Sequence, residues 1–395
     1  LAQENLMSYG EVRDFLAKHT ELIELIGPDG ARVAVAPRYQ GRVMTSSCNG
    51  PDGMSFGFVN RDFISAGIPN EHFNNYGGEE RLWISPEGGQ FSLWFKPGVK
   101  QQTLADWFTP PELNDGPWPV VSREDNTAVS MGVKMKLQNT SATRFDVEVA
   151  RVVRLLSAAD CGKLFGPSAA KTLSQTGLKM AAYETNNQIT NLGPAMSKEK
   201  GLISIWMLGM FNAGPKTVVL VPYKPGDPSQ FSPVVQSDYF GKVPPDRLKI
   251  LTEAVLFRAD GLFRSKIGTS QRRARDIVGS IDYQANVLTL VKFSLPDNPA
   301  DNLYMSNLWD GQLAQPYVGD VMNSYNDGPP EPGKKGMGAF YELESLSPAK
   351  ELKTGESISH KNVTVHIQAD RDALARLARD ILGVDLEKVR KEMQL

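Results

Sequence analysis

Between Glu21 and Ala369 the apolar residues come in short runs, many alternating with polar ones, and most are closed by Gly, Pro, Asn or Asp. That rhythm has period two, the repeat of a pleated strand; a chain dominated by helix or by a parallel doubly wound sheet would not show it. ELIELIG (21–27), Pro28-Asp29-Gly30 and ARVAVAP (31–37) read as a hairpin. QFSLWF (90–95), AVSMGVKMKL (128–137), RFDVEVARVVRLL (144–156), LISIWMLGMF (202–211) and TVVLVPY (217–223) continue the pattern. So do NVLTLVKFSL (286–295), AFYELESL (339–346) and NVTVHIQA (362–369). With Gly 35 and Pro 26 there are turns enough to join them. The expected fold is mainly β, a large two-layer antiparallel sandwich.

Helical period is expected chiefly at the two ends. Ser8 and Glu11 form a capping box ahead of Val12, Phe15 and Leu16, within a segment 1–20. Asp370 caps a helix carrying Leu374, Leu377 and Ile381 and closed by Gly383; Asp385 caps another running to Met393. Their Arg371, Arg376, Arg379, Lys388, Arg390 and Lys391 read as a solvated face. A short helix is expected near 158–164, residues 245–263 stay open between helix and strand, and 325–338 reads as a loop. The organisation is thus 1–20, one β domain over 21–369, and 370–395 packed on that domain.

Charge narrows the function classes. Lys plus Arg is 43 and Asp plus Glu 45, a net charge of −2. A nucleic-acid binder would need clustered cations to displace counterions, so none is expected as partner. No apolar run approaches the ~18 residues of a membrane span. Cys48 and Cys161 allow one disulfide at most, and four histidines make no metal centre. The start at Leu1-Ala2-Gln3 is compatible with a removed export signal and equally with trimming. The expected compartment is the periplasm or the exterior, with the cytoplasm as alternative.

No phosphate loop, dinucleotide fingerprint, serine elbow or H-E-x-x-H is present. Chemistry has to come from polar and aromatic residues set among glycines. Arg42 follows the strand ending at Pro37. Asn75-Tyr76-Gly77-Gly78-Glu79-Glu80-Arg81-Leu82-Trp83 leads on to Glu87-Gly88-Gly89. Bidentate polar groups beside an aromatic face suit a sugar, with a surface ion-pair turn as the plain alternative. Trp309-Asp310, Gly319-Asp320 and Asn323 to Gly328, including Asp327, carry oxygen ligands that could hold Ca²⁺, though turn chemistry explains them as well. In AFYELESL, Phe340, Glu342 and Glu344 share one strand face, while Tyr341, Leu343 and Ser345 share the other. Two carboxylates on one face can move protons or accept hydroxyls; a solvated strand side is the alternative.

These segments resemble a known family. Leu343-Glu344-Ser345, Leu352-Lys353-Thr354-Gly355-Glu356 and Val363-Thr364-Val365-His366 are similar to the closing segment of galactose mutarotase (aldose 1-epimerase) proteins. Residues 75–83 resemble the family's early Gly-Gly turn, and Asn191-Leu192-Gly193 its middle turn. The wording of 42–95 and 309–360 resembles more closely an uncharacterised bacterial branch of that superfamily. The resemblance implies a β-supersandwich with a carbohydrate site on its concave face and Glu344 as base. The family's acid histidines do not carry over, since Asn187 and Tyr76 stand in those places. Glu342 and His360 are further catalytic candidates. Arg42, Asn75, Tyr76, Glu79, Arg81, Trp83, Glu87, Asn187, Trp309 and Asp327 are candidates for binding. The expected function is carbohydrate binding of the aldose 1-epimerase-like type, with anomer interconversion by Glu344. The alternatives are a non-catalytic glycan-binding module, or a polysaccharide lyase or hydrolase on the same fold.

Overall fold

A computed structural model of the chain describes residues 7–395. Its largest element is an antiparallel sheet of ten strands. Their order is Leu248–Ile250, Ala254–Arg258, Thr217–Pro222, Ile277–Asp282, Val287–Phe293, Ser357–Gln368, Lys179–Asn191, Arg144–Leu155, Ala128–Gln138 and Val120–Glu124. Facing it is a five-stranded antiparallel sheet in the order Ser265–Ser270, Asp320–Asn326, Phe340–Leu346, Ser204–Asn212 and Arg81–Ser85. A three-stranded sheet, Ile23–Ile26, Arg32–Ala36 and Arg42–Ser47, joins the smaller layer where Val43 and Glu80 exchange backbone hydrogen bonds. The mainly β, two-layer antiparallel sandwich read from the sequence is what the chain forms.

Val219, Phe257 and Val291 of the large sheet meet Leu82, Ile205, Met207 and Leu343 of the small one in a single apolar core. The large sheet is covered on its other side as well. There Val218, Leu288, Leu290, Val365 and Ile367 pack against Leu374, Leu377, Leu386 and Val389 of the helices Arg371–Leu377 and Leu386–Glu392. Those helices open on Asp370 and Asp385, and the N-terminal helix Tyr9–Ala17 opens on the Ser8–Glu11 capping box. The first six residues of the 1–20 segment lie outside the described residues.

Two local expectations are corrected, and one reading left open is resolved. Gln90–Phe95 is irregular, not a strand: Leu93 N–H bonds Pro86 O and Trp94 N–H bonds Ser92 Oγ, so no ladder partner is used. Residues 245–263 carry two short strands, Leu248–Ile250 and Ala254–Arg258. Asp320–Asn326 is a strand, not a loop; an irregularity in its pairing at Thr269/Ser270 brings Asp320 beside Asn323, and the two hydrogen-bond to each other. Among the described residues no group of three or more His, Cys, Asp or Glu is placed to hold a metal ion. Cys48 and Cys161 are both free and buried, and burial pushes their thiols up to about 11 and about 12.

Polar side chains also cross between the layers. Arg151, on Arg144–Leu155, donates to Glu80 Oε1 at 2.8 Å, to Asn187 Oδ1 at 2.7 Å and to Gly41 O at 2.9 Å. The second Glu80 oxygen accepts from Asn362 at 2.7 Å. Glu80 and Arg151 are fully buried, so each charge relies on the other and on these amides. Arg151→Ala is therefore expected to lower unfolding free energy by about 3–5 kcal/mol in urea denaturation, because it strands the Glu80 charge. Arg151→Met combined with Glu80→Leu should regain most of that loss.

Candidate functional site

Antiparallel register carries side chains from distant segments onto the outer face of the five-stranded sheet. Glu342 lies opposite Met210 and Tyr325, and Glu344 opposite Leu208 and Asn323; Leu208 in turn lies opposite Arg81. Paired residues share a face, so Arg81, Trp83, Trp206, Lys266, Asn323, Glu342 and Glu344 stand on one side. Tyr341 and Ser345 point the other way, to Ser280 and His360 of the large sheet.

On this face Glu344 Oε2 accepts from Trp206 Nε1 at 2.9 Å and from Lys266 Nζ at 3.1 Å. Its other oxygen, Oε1, is buried and has no hydrogen-bond partner among the described residues. Arg81 Nη1 stands 3.1 Å from Glu342 Oε1, while its guanidinium lies 4.4 Å over the ring of Trp83. Glu342 is pushed up to about 7, first by burial and then by Glu344, against the pull of Arg81. Asp320, held by Asn323 Nδ2 at 2.9 Å and by the Tyr239 hydroxyl, is raised to about 7, chiefly by burial. Glu87 accepts from Trp107 Nε1 at 3.0 Å and is also raised by burial, with Lys266 and Glu344 acting on it. Four carboxyls thus share one region with two cations, Arg81 and Lys266. Lys266, Asp320, Tyr239 and Glu87 are partly exposed at its rim, and Trp309, stacked on Trp107 at 6.2 Å, is the most open.

The expected residues divide cleanly by layer. Arg81, Trp83, Glu87, Glu342 and Glu344 come together, with Trp309 beside Trp107. Glu79, Asn187 and His360 do not, which corrects their expected place. Glu79 accepts from Ser46 Oγ at 2.7 Å and is 2.8 Å from His366 Nε2. Asn187 is committed to Arg151, and His360 Nε2 lies 2.8 Å from Ser345 Oγ, on the far side of the sheet from Glu344. Burial drives His360 down to about 3, so it is a neutral interior imidazole. Tyr76 stacks on Tyr39 at 4.0 Å. Arg42 is buried behind Tyr76 and donates to Gly77 O at 2.7 Å. Asn75 donates to Met337 O, and Asp327 accepts from Tyr325 and from Gly338 N–H, tying down the loop after it. Gly77 is required here: at φ 79° a Cβ would meet Phe58 O at 2.2 Å.

Lys266, Trp206, Trp107 and Tyr239 were not anticipated, because strand pairing or loops distant in sequence bring them in; Asp320 and Asn323, read as turn residues or cation ligands, stand here instead. A separate cavity of about 30 Å³ lies between the layers beside Ser280, Tyr341 and His366, room for water but not for a sugar.

Fold and site together define a two-layer antiparallel β-sandwich protein with a carboxylate-lined outer face. The chain belongs to a family of unknown function, DUF6786, whose model matches residues 7–393. No curated protein matches the sequence. Similar solved structures include the Slr1438 protein from Synechocystis sp. PCC 6803, with TM-score 0.48 and 12% identity over 89% of this chain and 96% of that one. A putative aldose 1-epimerase from Escherichia coli K12 aligns with TM-score 0.48 and 12% identity over 89% and 99%. A galactose mutarotase-like protein from Lactobacillus casei ATCC 334 aligns with TM-score 0.43 and 11% identity over 88% and 100%. The likeness lies in the course of the chain and says nothing of which side chains act.

The carboxyls set a pH dependence. Glu342 and Asp320 bind protons more tightly folded than unfolded, so their contribution to stability is present below about pH 4 and is lost as pH rises through about 7. His360, lowered, works the opposite way, contributing above its ordinary 6.5 and losing that as pH falls towards 3. From pH 6.5 to about 8 unfolded His360 sheds only its remaining half proton, while folded Glu342 and Asp320 lose most of two, so the carboxyls dominate this range. Thermal unfolding should show Tm falling across it, and Asp320→Asn should flatten the fall.

Proposed function

We propose that the protein binds a carbohydrate on the outer face of the five-stranded sheet, in the manner of an aldose 1-epimerase-like protein. The observation that carries this reading is Glu344: a buried carboxylate whose Oε2 is fixed by an indole and an ammonium while Oε1 is left unbonded. A buried acceptor without a donor is costly, and a sugar hydroxyl is a donor of the right size. Arg81 and Lys266 can donate to further hydroxyls. Trp107 and Trp309, stacked at the rim, offer a face for the C–H side of a pyranose ring. The motif resemblance around Glu344 supports the same ligand class.

A second reading, binding without turnover, is favoured by one observation. Among the described residues His360 and His366 face the interlayer, and His72 is engaged with Trp107 O at 2.6 Å and stacked on Phe108. No histidine takes the acid's place beside Glu344.

Calorimetric titration with neutral hexoses tests the binding. Wild type should bind at least one, Glu344→Gln should keep measurable affinity, and Arg81→Ala or Trp309→Ala should weaken it by about 1–3 kcal/mol. Absence of any sugar binding, or full affinity in both alanine variants, overturns the placement.

A further inference from the structure

We propose that Glu342 is the proton donor of a ring-opening reaction in which Glu344 is the proton acceptor, two carboxyls doing between them what a carboxylate and a histidine do elsewhere. The inference rests on the carbohydrate reading and deepens it.

The geometry comes from the strand. Glu342 and Glu344 are two residues apart on one face of Phe340–Leu346, hence about 7 Å apart along the strand. A general acid or base works within about 2.6–3.2 Å of its proton. Two carboxyls at that spacing can converge on the anomeric oxygen and the ring oxygen of one pyranose, since both are bonded to the same carbon. The surroundings separate the two roles. Glu344 has two donors on Oε2 and a free Oε1 for the incoming hydroxyl. Glu342 has the opposite setting. Its cation Arg81 is close, but Arg81 Nε and Nη1 make no aligned hydrogen bond, and the guanidinium lies over Trp83.

The groups facing Glu342 come from each neighbouring strand. They are Arg81 from Arg81–Ser85, Lys266 from Ser265–Ser270, Glu344 on its own strand, uncharged Met210 from Ser204–Asn212, and Tyr325 from Asp320–Asn326. Asp320 and Glu87 act on the region through Glu344. Burial and Glu344 outweigh the two cations, so Glu342 keeps a proton up to about neutral pH.

In the forward step the Glu344 carboxylate takes the proton from the anomeric O–H, and the electron pair of that bond forms the carbonyl. The bond from the anomeric carbon to the ring oxygen breaks, and that oxygen takes the proton of Glu342. The aldehyde then rotates about its bond to the next carbon. On reclosure Glu344 gives its proton back to the carbonyl oxygen and Glu342 regains one from the ring hydroxyl, so both carboxyls return to their starting states and nothing else is consumed.

NMR magnetisation exchange between α and β anomers of neutral hexoses, from pH 5 to 9, tests this together with sugar titration. Wild type should accelerate exchange with an alkaline limb that falls near pH 7. Glu342→Gln should lower the rate constant at saturation by about 100-fold or more, with sugar affinity within about threefold of wild type and the alkaline limb gone. Glu342→Asp, which keeps a titratable proton at shorter reach, should restore part of the rate and the limb. An unchanged rate in Glu342→Gln, or an alkaline limb that persists in it, overturns the proposal. Sugar binding by wild type without accelerated exchange also overturns it and leaves the binding reading standing. No sugar binding removes both.

Discussion

Everything about this sandwich depends on the buried ion pair between Arg151 and Glu80. A two-layer β fold is ordinarily closed by apolar side chains, and most of this interior is apolar. Yet one charge from each layer meets at 2.8 Å with no solvent access. Such a pair is tolerable only if every remaining polar atom is paired, and the chain meets that demand with Asn187, Asn362 and the Gly41 carbonyl. It also fixes position. Glu80 directly precedes Arg81–Ser85, so holding Glu80 inward sets the register in which Arg81 and Trp83 emerge on the outer side.

The same turn sorts three successive charged residues. Glu79 goes to His366, Glu80 to Arg151, and Arg81 to Glu342 across the sheet. Two carboxylates join the layers, and one guanidinium stands on the outer face of the small sheet. The outer face is then built by register alone. Lys266, Asn323, Glu344, Glu342 and Arg81 come from four strands, and the long loops over 86–118 and 298–319 add Glu87, Trp107 and Trp309. Function on this fold rests on what those side chains can do at one place, and the strand period decides which of them meet.

How much of this could be read in the sequence follows from the same physics. The hairpin 21–37, the strands near 128–155, 204–222 and 287–293, and the capped terminal helices were legible, because alternation and caps are local signals. Lys179–Asn191, a central strand of the large sheet, was not. Its inward Thr185 and Asn187 are polar, paired to Arg151 and neighbouring strands, and its outward Asn186 and Gln188 are polar too, so no apolar alternation remains. Asp320–Asn326 read as turn chemistry for a similar reason, since Asp320, Asn323 and Asn326 hydrogen-bond within the fold. Gln90–Phe95 failed in the other direction: Leu93, Trp94 and Phe95 are all buried, and apolar content imitated a strand. For the site, the shared face of Glu342 and Glu344 was legible from period two. The partners Lys266, Trp206 and Asn323 were not, because pairing across the sheet is long-range. Likewise Asn187 and His360 looked adjacent to the site in motif order, whereas inward alternation had turned both towards the interlayer.

Sugar recognition by Glu342 and Glu344 requires the sugar to sit on the outer face of the five-stranded sheet. A crystal structure of the protein soaked with a hexose that titrates in solution measures this directly. The sugar is expected against Glu342 and Glu344, with a hydroxyl within hydrogen-bond distance of Glu344 Oε1 and its ring near Trp107 or Trp309. A bound sugar elsewhere, with Glu344 Oε1 still unbonded, would contradict it.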